Sequence, residues 1–151
     1  MIRTGLALSA LLLAAGAARA QTPSTVAAET VLSAVTGDWN DDGSFDRAVL
    51  VETDDGADLY VYLSDSGNGM KLAAYAKAFV WSGGVWGTLP ELLLGSKGGL
   101  QVHAENTGSG RNHWDQLYSL AFRDGKMVVS GLTASDSDTI PRPTTAATST
   151  S

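Results

Sequence analysis

A chain of 151 residues with 16 acidic and 10 basic side chains carries a formal net charge of −6. That surplus makes nucleic acid and anionic lipid poor partners and divalent cations good ones. The absence of cysteine excludes disulfides and thiolate metal sites.

The first twenty residues, MIRTGLALSALLLAAGAARA, place Arg3 before an apolar run from Leu6 to Ala18 and end in Ala-Arg-Ala. This is the pattern of a secretory signal peptide cut after Ala20; the apolar run is too short to span a bilayer. The expected location is periplasmic or secreted, with no membrane span. Removing residues 1–20 takes away Arg3 and Arg19 and makes the mature chain more acidic still. What remains is the size of one domain, expected over residues 21–134.

In STVAAETVLSAV, Val26, Ala27, Val31, Leu32 and Val35 recur at roughly helical spacing, with Ser24 or Thr25 as cap. This predicts a short N-terminal helix. The acidic stretch 37–46 follows, and then RAVLVE reads as a buried strand. In LYVYL, Leu59, Val61 and Leu63 face one way and Tyr60 and Tyr62 the other, which suits a central strand. KLAAYAKAFVW suits strand or helix; the turns around it and its aromatic end favour strand. A glycine-rich loop with a short extended piece at Leu92–Leu94 leads to the strand LQVHAEN. The last unit, 113–133, reads as two strands joined by Arg-Asp-Gly-Lys, a strong hairpin signal, with a bulge expected near Gln116–Ser119. From Ser135 onward Ser, Thr and Pro dominate, and 135–151 reads as a disordered tail or the product of a shifted reading frame. The expected fold is mainly β (α+β): the helix, then an antiparallel meander of five to seven strands.

The acidic stretch, GDWNDDGSFD, carries the chemistry. Counted from Asp38, it places Asn40 at position 3, Asp42 at 5, Gly43 at 6, Ser44 at 7 and Asp46 at 9. Alternating oxygen donors on a tightly curved loop are what calcium requires, and position 6 is where the chain must turn sharply. Asp41 is expected to point away. An EF-hand is excluded because position 12 is Val49, within a strand-like run, where the bidentate glutamate should stand. A solvated, Asx-rich turn is the alternative.

GDWNDDGSFDRAVLV resembles the calcium loop of FG-GAP/VCBS-type repeats, the blade motif of integrin-like β-propellers. Gly37, Asp38, Trp39, Asn40, Asp42, Gly43 and Asp46 match that motif place for place. The resemblance implies Ca²⁺ ligation by the side chains of Asp38, Asn40, Asp42 and Asp46 and the Ser44 carbonyl. No second copy is present, so the resemblance extends to one loop and its strand and not to a propeller.

Other chemistry is sparse. His103 and His113 have no metal-pair spacing, and His103 is expected on the polar face of its strand. Ser109 lies near His113 without a nucleophile elbow, so a hydrolase has no recognisable site. Trp81, Trp86 and Trp114 flank glycine-rich segments and are candidates for stacking on a glycan or peptide; the alternative is that they fill the core. Trp39 is expected to pack the loop onto the sheet. The leading expectation is an exported, non-enzymatic binding or structural domain stabilised by one calcium ion, with an unidentified protein or glycan partner. The rivals are a tryptophan-based glycan or peptide module and a hydrolase.

Overall fold

The computed structural model describes residues 26–65, 67, 69–83, 89–108 and 112–138. The expected signal peptide, Ser24 and Thr25, Trp86, Ser109 and residues 139–151 lie outside this set. The protein is mainly β. Strands β1 (Val31–Gly37), β2 (Asp46–Thr53), β3 (Gly56–Asp65) and β4 (Gly69–Val80) form one antiparallel sheet in chain order. Strands β5 (Glu91–Leu94), β6 (Leu100–Asn106), β7 (Asn112–Arg123) and β8 (Lys126–Asp138) form a second. The architecture is thus two four-stranded meanders rather than one of five to seven strands. No helix among the described residues is long and apolar enough to cross a membrane.

The predicted N-terminal helix is absent. Ala28–Thr30 form one 3₁₀ turn, and Val31–Gly37 pair with β2. The helical spacing has a local cause. The β1–β2 register shifts between Val31 and Ser33, so Leu32 is an extra residue in the strand. That shift lets Leu32 and Val35, three apart, both pack against the core. Of the tail expected over 135–151, the first four residues are strand: β8 runs to Asp138 and pairs Ser135–Asp138 with Asn112–Asp115.

The inner faces meet in one core. Ala48, Leu50, Leu59 and Val61 come from the first sheet; Leu92, Leu100, Val102, Ala104 and Leu120 come from the second. Leu50, Val61, Leu100 and Val102 are fully buried, each worth about 1.5–3 kcal/mol of transfer free energy. β1 abuts β5, where the Leu92 amide donates to Ser33 Oγ at 3.0 Å, and Phe79 of β4 meets Tyr118 of β7 at 5.1 Å. On the other face of β3, Tyr60 stacks on Tyr62 as the alternation implies.

The turn chemistry follows the sequence. Asp124 and Gly125 both adopt positive φ, 50° and 75°, as a two-residue hairpin of the Asp-Gly kind requires. The expected bulge falls at the edge of its predicted range, between Ser119 and Leu120. The extra residue is Ser130 on the partner strand, whose Oγ donates to the Ser119 carbonyl at 3.1 Å.

Gly37 closes β1 directly against Trp39. A Cβ there would stand 2.6 Å from Trp39 Nε1 and 2.9 Å from Cε2, so only a hydrogen lets the indole lie flat on the strand end. Gly37→Ala is therefore expected to displace the ring and cost about 1–3 kcal/mol, seen as a lower urea midpoint with an unchanged slope.

Candidate functional site

The acidic loop joins the edge strand β1 to β2. Its conformation is built from side chains that bond the loop's own backbone. Asp38 accepts from the amides of Asp42 (3.2 Å) and Gly43 (2.9 Å). Asp42 accepts from the Ser44 amide at 2.7 Å and from Asn40 Nδ2 at 2.8 Å. These bonds, first the Ser44 amide and then the Asn40 side chain, hold the Asp42 carboxyl below its ordinary pKa. Gly43 sits at φ 82°, a left-handed turn suited to glycine, and Asp41 is exposed at φ 58°. Asp38, Asn40, Asp42 and Ser44 are thus gathered into one turn. Among the described residues, none of the loop's carboxylates forms an ion pair with a lysine or arginine.

Asp46 occupies a different setting. It is the first residue of β2 and is fully buried. Its Oδ2 accepts from the Trp39 amide and its Oδ1 from the Ser64 amide, both at 2.9 Å. It therefore ties the loop to β3. Trp39 is only 8% exposed and belongs to the core, as expected for a residue that pins the loop to the sheet. Among the described residues its buried indole N–H has no acceptor.

Of the tryptophans proposed for stacking, Trp114 is half-buried and packs against the core. Trp81 is 43% exposed and meets Trp114 edge-on at 5.7 Å. Trp86 is outside the described residues. His113 donates from Nε2 to the Gly108 carbonyl at 3.0 Å, a structural role.

The second sheet holds a cluster that sequence spacing did not reveal. His103 Nε2 lies 2.7 Å from Asp115 Oδ2, and His103 Nδ1 lies 3.5 Å from Glu91 Oε1. Glu105 completes the group: one donor atom each of His103, Glu105 and Asp115 lie within 4.8 Å of one another. Among the described residues the loop's carboxylates form no such triplet. The signal in the sequence was His103-x-Glu105, two positions apart on one strand face. What it lacked was the β6–β7 register, which sets Glu105 opposite Asp115.

Comparison with protein families, characterised proteins and solved structures found no match to this chain.

Two expectations follow. Asp46→Ala leaves the Trp39 and Ser64 amides without their acceptor, and should lower stability by about 3 kcal/mol or more in chemical denaturation. The Asp115 carboxylate, helped by Glu105 and Glu91, raises the His103 pKa above its usual value despite partial burial. Its stabilising effect is complete below the unfolded value of 6.5 and disappears as pH rises through the folded one. In metal-free buffer, NMR titration should place the His103 midpoint above 6.5, and Asp115→Asn should bring it down.

Proposed function

We infer that the protein is an exported, non-enzymatic β-domain whose acidic loop binds one calcium ion, and that it serves as a binding or structural module. The observation that carries this reading is the hydrogen-bonded form of the loop. Asp38 is fixed by the amides of Asp42 and Gly43, and Asp42 by Ser44 and Asn40, and among the described residues none of these carboxylates is in an ion pair with a lysine or arginine. A loop that bends its carboxylates inward at rest lowers the ordering cost of binding.

The donor set fits a hard cation. Asp38, Asn40, Asp42 and Asp46 would supply side-chain oxygens and Ser44 a carbonyl, in keeping with calcium's preference for many oxygens and a pliable cage. The oxygens of Asp38, Asp42 and Asp46 that accept hydrogen bonds each keep a further lone pair. A bound ion would cancel the repulsion among the three carboxylates and fix the entry to β2. Because Asp46 bonds to β3, occupancy would couple to the stability of the whole first sheet.

The exposed Trp81 supports a second reading, in which a glycan or peptide partner stacks on that face. Loss of glycan-array or peptide binding in Trp81→Ala would favour it.

Thermal melting in chelator and then in millimolar calcium tests the leading reading. The wild-type midpoint should rise by several degrees with calcium, and Asp42→Ala should abolish the rise. An unchanged wild-type midpoint would reduce the loop to a solvated turn.

A further inference from the structure

We propose that the outer face of the second sheet carries a separate cation site, of the zinc type, built from His103 Nε2 and one carboxylate oxygen each of Glu105 and Asp115. Strand geometry makes the placement. His103 and Glu105 are two apart on β6 and so share a face. Asp115 on β7 stands directly opposite Glu105 and reaches diagonally to His103, 2.7 Å away. All three side chains are half-buried, and the donor atoms lie within 4.8 Å of one another. β6 is hydrogen-bonded on both sides, by β5 and β7, so the donors stand on held backbone and not on a loop.

Glu91 supplies an observation independent of the triplet. It lies opposite His103 on β5, with Oε1 3.5 Å from Nδ1. A carboxylate on the far nitrogen of a ligating imidazole orients the ring and selects the tautomer that presents Nε2 to the metal. The two ring nitrogens here face two different carboxylates, the arrangement such a site needs. A metal ion would replace the proton that bridges Nε2 and Asp115, leaving Nδ1–H on Glu91.

The donor set selects the ion. One imidazole nitrogen and two carboxylate oxygens are too few for calcium, which takes six to eight oxygens, and the nitrogen favours zinc and its neighbours over magnesium or calcium. Partial exposure leaves positions for water, as in sites with three protein ligands. Asp115 also lines a cleft of 150 Å³ with His113, Ser135 and Ser137, through which solvent reaches it.

Calorimetric titration of the chelator-stripped full chain with Zn²⁺ tests the proposal. The wild type should take up one ion per chain at micromolar affinity, with no competition from equimolar Ca²⁺. His103→Gln and Asp115→Asn should each weaken uptake at least about tenfold. Glu91→Gln, which keeps all three donors, should weaken it by about tenfold through the lost orientation. Asp42→Asn in the acidic loop should bind zinc as the wild type does. Imidazole NMR of the wild type gives a reading that needs no variant: Zn²⁺ should move the His103 resonances and leave His113 in place. No uptake, unchanged uptake in His103→Gln, or movement of His113 alone would overturn the site and leave a proton as the only occupant of the pair.

Discussion

The structure turns on one carboxylate. Asp46 is fully buried at the start of β2, and each of its oxygens accepts a backbone amide, one from Trp39 and one from Ser64. Burying a charge is costly unless hydrogen bonds satisfy it, and charged bonds of this kind are among the stronger ones. Here the two donors come from segments far apart in the chain, a loop before β2 and a strand after it. The same residue therefore sets where the acidic loop ends and how it sits on the first sheet.

Asp58 repeats the device elsewhere in that sheet. It is 5% exposed, and it accepts from the Tyr75 hydroxyl at 2.9 Å and from the Ala78 amide at 2.8 Å. The register of β3 against β4 shifts at this point, and Ala78 adopts φ 44°, an unfavourable region for a residue with a Cβ. The carboxylate offsets that strain by giving the Ala78 amide an acceptor. A chain without cysteine thus fastens its irregular points with buried aspartates. Tyr75 is affected in turn, since its bond to Asp58 raises its pKa.

Much of the fold was legible in the residues. RAVLVE and LYVYL became adjoining strands β2 and β3, Leu92–Leu94 lay within β5, and Asp-Gly made the turn it encodes. These segments carry their signals locally, in alternation, β-branching and turn residues. β1 was not legible, because its bulge at Leu32 imitates a helical interval and its strand state depends on pairing with β2. Ser135–Asp138 had no apolar signal at all; backbone pairing to β7 orders them regardless of their side chains. At the candidate sites the contrast is the same. Asp38, Asn40 and Asp42 come together within five residues, so spacing reveals them. His103, Glu105, Asp115 and Glu91 meet across three strands, and their meeting depends on register alone.

The order of the strands has a consequence for assembly. Every hydrogen-bonded neighbour in either sheet is also the next strand in the chain. Each meander can therefore zip up hairpin by hairpin, closing only short loops as it goes, which favours quick folding for an all-β molecule. The one distant event is the meeting of the two finished sheets across their shared apolar faces. Among the described residues no ladder joins β4 to β5, so halves cut between them should behave as complementing fragments that rejoin through side-chain packing.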